Sequence, residues 1–451
     1  MNNSALPENS SLHSFTCWSG HLLKFKGREI TVFPKTGSVQ KFTIPQLSSH
    51  FIRKEIISQA VRPAGFDYLP QRTRINYSSR FNIPGLLQPE SVSIFTENKI
   101  NKITGLSFDF FSVDSLWGGI NFKKSADSQK LFINYAYLEQ RLDILAINKS
   151  GCIKIFYGLE QRTAPPWPLL PIGWNAIARI YLRVNNHALT AENIFPVYDK
   201  AYSNIINYEN TPARNLIIGK SKKQENSNFN KPGNTRLYTD IIPLQNLINT
   251  ENAFARIKCI FKNPEIKILF FGDSITEAND IFPAEHRYTL RTEIGLRSLF
   301  PGKNFIFINS GIGGTNSAYG RRRFKNDVLK HKPDIVIIIF VLNDADVSDR
   351  TVIADHKYFI HNLRRIGAEP VFMTPNMKTA ALQNNMDHAV ERIRTLCKEK
   401  CVLCADAYAV WEKLSRYSIP YESLLLNGIN HPDSTAHAIF SKSILHIFSG
   451  I

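Results

Sequence analysis

The fold is decided at Ile266-Lys267-Ile268-Leu269-Phe270-Phe271-Gly272-Asp273-Ser274-Ile275-Thr276. Residues 266–271 form an apolar run of strand length that ends in Gly272-Asp273-Ser274, residues that favour a turn. Further strands are expected at 304–309, 334–342, 369–374 and 401–406. Between the last two, Met386, Ala389, Val390, Ile393, Leu396 and Cys397 recur at the i, i+3, i+4 spacing of an amphipathic helix. A closing helix is expected from about Pro432, with Asp433 or Ser434 in its first turn and Ala436, Phe440, Ile444 and Ile447 as its buried stripe. Strands alternating with amphipathic helices predict a parallel sheet covered on both faces, here an α/β layer over 264–451.

Upstream the texture differs. From Phe15 to about Tyr198, short β-type runs such as Ile30-Thr31-Val32-Phe33 and Ile153-Lys154-Ile155-Phe156 are broken by turn residues, and helical periodicity is rare. Residues 1–210 are therefore expected to be a β-rich accessory domain; the resemblance of part of it described below implies glycan binding as the other reading. The stretch 220–235 is polar and rich in turn formers, which makes 211–263 a linker and connecting segment.

In an open parallel sheet a ligand sits just beyond the carboxyl ends of the strands. Three of those ends are polar here: Gly272-Asp273-Ser274-Ile275-Thr276, Ser310-Gly311-Ile312-Gly313-Gly314-Thr315-Asn316 and Asn343-Asp344-Ala345-Asp346. A hydroxyl nucleophile needs a neighbouring base, and a developing oxyanion needs N–H donors, which glycine backbone and asparagine side chains supply. His431, in Asn427-Gly428-Ile429-Asn430-His431-Pro432, stands immediately before the closing helix and is the candidate base. Asp273 and Asp344 read as buttresses of their turns.

These blocks, in this order, resemble the SGNH (GDSL-like) hydrolase superfamily. The resemblance covers about 264–451 and implies a flavodoxin-like α/β/α fold, ester hydrolysis through an acyl-enzyme, and no cofactor or metal. Residue by residue it implies Ser274 as nucleophile, its own N–H with those of Gly313 and the Asn343 side chain as the oxyanion hole, and His431 as base. Two positions depart from the family pattern: Val341 stands where glycine usually precedes Asn-Asp, and Gly428 stands where an aspartate usually precedes the histidine by three residues. The expected site is therefore a Ser274 and His431 dyad, its imidazole oriented by the Asn427 side-chain oxygen or a backbone carbonyl; a displaced triad using a nearby acid such as Asp433 is the alternative.

Rival readings fit these residues less well. An α/β-hydrolase elbow needs Gly-x-Ser-x-Gly, and the fifth position is Thr276. The run from Gly311 to Asn316 half-matches a dinucleotide fingerprint, but Asn316 holds the third glycine's place. Residues 152–199 resemble β-rich segments of bacteriophage tail and receptor-binding proteins, which implies delivery of an esterase to a glycan surface by a particle or by lysis.

Composition narrows the rest. The 451 residues carry 55 Lys and Arg against 38 Asp and Glu, a formal charge of +17 that suits an anionic glycan or a solvated basic surface. Arg321-Arg322-Arg323 reads as a solvated helix face or as a clamp for an anionic substrate. There is no apolar stretch of membrane-spanning length and no signal-peptide pattern at the N-terminus, so synthesis in the cytoplasm is expected, with no membrane or nucleic-acid partner. Six cysteines are too sparse for a disulfide scaffold, and Cys401-Val402-Leu403-Cys404 lacks a second pair at finger spacing, which favours a core role. Together the blocks predict a serine esterase removing a short acyl group, O-acetyl on a carbohydrate first among them; the alternatives are a lipase or thioesterase, and a noncatalytic glycan-binding protein on a degenerate hydrolase scaffold.

Overall fold

The computed structural model describes residues 13–35, 37–57, 60–61, 77–80, 87–97, 103–105, 111–114, 119–122, 131–162, 164–183, 188–200, 203, 205–206, 236–237, 247–248 and 251–451. Among the described residues, the front half forms four four-stranded antiparallel sheets. Two of its strands matter for the site: β1 (Arg141–Asn148) and β2 (Trp174–Leu182), which pair antiparallel. Nearly every residue of both is buried, so neither shows the polar alternation of a one-sided strand. Leu145, Ile147, Ile177 and Ile180 pack into the front core, while Leu142 and Tyr181 join the core of the C-terminal layer.

That layer is a six-stranded sheet. Its strands are β3 (Leu247–Ile248), β4 (Glu265–Gly272), β5 (Asn304–Gly311), β6 (Ile335–Ile339), β7 (Glu369–Met373) and β8 (Leu403–Ala405), in the order β3-β8-β7-β6-β4-β5. All neighbours are parallel except β3, which runs antiparallel to β8. The five parallel strands thus follow the flavodoxin-like order, second-first-third-fourth-fifth, whose crevice opens where first and third strands part. The expected three-layer α/β/α domain is the one observed.

Two details differ from the sequence reading. The run 334–342 is a strand only to Ile339; Val341–Asp344 is a helical turn, because an unbroken apolar run carries no period to mark where strand gives way to helix. The larger part of the expected connecting segment 211–263, including the polar stretch 220–235, lies outside the described residues. Its described end holds β3 and the helix α1 (Glu251–Ile260), whose Ala253 and Ile257 are buried in the sheet's core together with Phe261. These elements pack with the sheet although they stand before residue 264. Cys404 is buried on β8 and Cys397 on the helix before it, and Cys401 ends that helix in a left-handed conformation. No helix among the described residues is long and apolar enough to cross a membrane.

Candidate active site

The nucleophile candidate sits where β4 leaves the sheet. Asp273, fully buried, accepts from the Ile275 N–H at 3.0 Å and so caps the four-residue helix α2 (Ser274–Glu277). Ser274 is the first residue of that helix, and no described residue accepts from its N–H. Arg323, 9% exposed, staples the exits of β4 and β5 from beneath: it donates to the Gly272 carbonyl at 2.9 Å and the Ser310 carbonyl at 2.8 Å, and lies 4.3 Å over the Phe271 ring. The three arginines therefore do separate things. Arg321 pairs with Asp355, Arg322 lies over Tyr319, both of them exposed, and Arg323 is buried and structural, so the run is not an evenly solvated face. Arg323→Ala removes charge-assisted bonds to one buried and one half-buried carbonyl and should cost about 3 kcal/mol, measured by denaturant unfolding.

Ser274 Oγ lies 2.9 Å from His431 Nε2, and His431 Nδ1 lies 2.6 Å from Asp280 Oδ2. Burial disfavours the Asp280 charge, but the hydrogen bond from His431 and its positive field outweigh that and hold the carboxyl below its usual range. An ionised carboxylate can only accept, so Nδ1 carries a proton toward Asp280, and Nε2 is the nitrogen that faces the serine hydroxyl. Asp280 reaches this place because α2 is short. Ala278 ends it at φ 52°, Ile281 donates back to the Ala278 carbonyl and buries its side chain, and the intervening turn presents Asp280 to the histidine.

This arrangement corrects the expected dyad. Asn427 does not touch the imidazole: its Oδ1 accepts from the N–H groups of Ile429, Asn430 and His431 at 3.0, 2.9 and 2.9 Å, and thereby shapes the turn that carries the histidine. Gly428 adopts φ +67° in that turn, a region where a side chain is strained, which accounts for glycine at the position the family gives to aspartate. Asp433, the other acid considered, is fully buried and caps the closing helix Ser434–Phe448 through Ala436 N–H. Asn427→Ala should leave three backbone donors without their acceptor and lower both stability and kcat, whereas Asn427→Asp, which keeps the acceptor, should be nearly silent; thermal melts and turnover check both.

The oxyanion donors also differ in part. Gly313 N–H donates to the Glu277 carboxylate at 2.7 Å, and a Cβ built on Gly313 would stand 3.8 Å from the Ser274 Cβ. Gly313 thus lies beside the nucleophile, but its donor is already committed. The next residue, Gly314, turns the chain at φ +75°, and no described residue accepts from its N–H. Asn343 Nδ2 donates to the Thr315 carbonyl at 3.0 Å and faces Asp273 Oδ2 at 3.4 Å, which holds it at the β6 exit next to the Ser274 turn.

Asp344 is fully buried and accepts from both the N–H and Oγ of Ser317 through one oxygen, while its other oxygen has no described partner. Desolvation pushes its pKa up to about 7, and does the same for Asp273. A folded-state pKa above the unfolded one contributes stability at low pH that is lost as pH rises toward about 7. Asp344→Asn removes that loss, so its melting temperature relative to wild type should rise between pH 5 and pH 8 and level off beyond. His437 is buried, accepts from Tyr288 N–H, and is pushed down to about 3 by burial, which keeps it a neutral packing group.

With the geometry in place, comparisons with known proteins bear on it. Residues 270–439 match the GDSL-like Lipase/Acylhydrolase family model, and this region is such a domain, of a family of carboxylic ester hydrolases. A curated relative from Bacillus subtilis (strain 168), the uncharacterized lipoprotein YqeF, is 31% identical over 115 residues, 24% of this chain and 47% of that protein. The chain therefore spans about half the length of that relative. The acetylxylan esterase of Geobacillus stearothermophilus is 22% identical over 206 residues, 40% of this chain and 92% of that protein. Among solved structures, a two-domain esterase (CEX) active on acetylated mannans aligns at TM-score 0.40 and 20% identity, over 44% of this chain and 54% of that one.

Proposed function

We propose that the GDSL-like domain makes this protein a serine esterase that removes a short acyl group, O-acetyl on a carbohydrate foremost, through a Ser274, His431 and Asp280 triad. One observation carries the reading: the unbroken chain of contacts from Ser274 Oγ to His431 Nε2 and from His431 Nδ1 to Asp280. Ser274 Oγ attacks the ester carbonyl while Nε2 takes its proton, and Asp280 stabilises the imidazolium that forms. The oxyanion that develops is met by the N–H groups of Ser274 and Gly314 and by Asn343 Nδ2, which exchanges its longer contact, 3.4 Å to Asp273 Oδ2, for the new one. The imidazolium then protonates the departing alcohol, leaving an acyl-Ser274. Water, deprotonated by the same imidazole, releases the acid and restores the serine. The His431 and Asp280 side chains are 27% and 37% exposed, so a bulky alcohol such as a polysaccharide hydroxyl can approach from solvent. The acetylxylan esterase relative supports an acetylated glycan as substrate.

The experiment is turnover of p-nitrophenyl esters of graded chain length, alongside acetate release from acetylated xylan and mannan. Fastest turnover of the acetyl ester together with acetate release from a glycan is the expected result. Preference for long acyl chains would make it a lipase, and no turnover of any ester would remove the esterase reading. Within this scheme, Asn343→Ala should lower kcat by about 10² to 10³ with a smaller change in KM; a variant defective only in KM would show that Asn343 binds the ground state instead.

A further inference from the structure

The hairpin that carries the histidine is gripped from the front half of the chain. Arg183, just past the end of β2, donates through Nη1 to Glu422 Oε2. The other Glu422 oxygen accepts from Thr379 Oγ1 at 2.6 Å and from Ala380 N–H at 2.9 Å. Thr379 N–H then donates to the Ile429 carbonyl at 2.7 Å, and Asn376 Nδ2 donates to the Asn430 carbonyl at 2.9 Å. His431 is the next residue.

A second contact lies four residues back on β2. Arg179, 1% exposed, stacks over the Trp167 ring at 4.9 Å and turns Nη1 toward the carbonyls of Tyr417 and Ser418 at 3.5 and 3.4 Å. Ser418 Oγ donates back to the Pro196 carbonyl. Leu142, Trp167 and Tyr181 of the front half share one apolar core with the sheet, so this contact is a packed interface and not a grazing one.

We infer that Arg183, acting through Glu422, is a positioning residue that sets the His431 hairpin, so the front half completes the catalytic apparatus in addition to any grip on a polymer. This rests on the esterase reading above. Burial alone would discharge Glu422, and Arg183 with the Thr379 and Ala380 donors outweighs it, holding the carboxyl below its usual range. Without the guanidinium, a carboxylate in this place is driven to protonate or to swing to water. Either change weakens its hold on Thr379 and Ala380, and through them on the Ile429 carbonyl. A shift of the imidazole by about 1 Å is enough to cost up to about 10² in rate.

The test uses the full chain, with p-nitrophenyl acetate as substrate. Arg183→Ala should lower kcat between roughly 10- and 100-fold with KM within about twofold, and Arg183→Lys should recover most of it. The low-field proton resonance expected for the His431 Nδ1–H bound to Asp280 should broaden or move in Arg183→Ala and return in Arg183→Lys. A residue that only stabilised the fold would shift the melting temperature and leave that resonance and kcat unchanged below it. If Arg183→Ala does not fold, Thr379→Val, which removes only the hydroxyl contact to Glu422, is read by the same kcat and the same resonance. An active wild type with kcat and resonance unaltered in the folded variant overturns this inference alone, whereas a wild type inert on every ester overturns the esterase reading and this inference with it.

Discussion

Ser274→Ala should abolish ester turnover, with a fall in kcat on the order of 10⁶, while the protein stays folded. The side chain is only partly buried at the exit of β4, and its one described side-chain partner is His431. The α2 cap is made by Asp273 and not by Ser274, so the turn survives the loss of the hydroxyl. Little packing is lost, and the far-UV spectrum and melting temperature should stay close to wild type. Turnover at wild-type rates would remove Ser274 from the chemistry and with it the whole order of events from attack to deacylation.

Asp280→Asn should lower kcat by about 10⁴ with the fold intact. The amide can present its N–H₂ to Nδ1, which would favour the wrong tautomer and leave Nε2 as a donor facing a hydroxyl it should deprotonate. Its charge is also gone, so the imidazolium formed during attack is left without its counter-ion. In wild type the depressed Asp280 carboxyl has a sign that can be checked. Its contribution is present above the unfolded carboxylate pKa, near 3.9, and is lost as pH falls through the lower folded value. The His431 and Asp280 contact should therefore persist down to acid pH, below which the order of the turn that carries the histidine declines. An Asp280→Asn variant within tenfold of wild type would mean that the histidine is oriented by something other than this carboxylate.

The parts of the molecule that the sequence foretold are those whose signal is local. β4, β5 and β7 are apolar runs bounded by turn residues, and the stripe from Met386 to Cys397 lies on one face of a single helix, so each is readable within a dozen residues. β3 is two residues long and exists because β8 offers an edge, so no pattern within it could announce a strand. The acid that meets the imidazole is not foretold, for a related reason. Asp280 stands six residues after Ser274 and 151 residues from His431, and only the closure of the fold brings it to Nδ1. A search confined to the histidine's neighbours could find only Asn427 and Asp433, both of which serve the turn and the helix that follow one another there. The usable signal was the acid in the turn directly after the nucleophile's own short helix, a segment bound to lie beside the serine. Gly313 illustrates the opposite limit: the glycine block is legible, but which of its N–H groups is free depends on Glu277, a partner 36 residues away.

The measurement that bears most directly on the account is peptide mapping of the protein acid-quenched during turnover of p-nitrophenyl acetate, compared between wild type and Asp280→Asn. A single acetyl group is expected on the peptide that contains Ser274 and on no other, since deacylation depends on the same His431 and Asp280 pair as acylation. An acetyl group on a different residue, or steady turnover with Ser274 never acetylated under any quench, would contradict it.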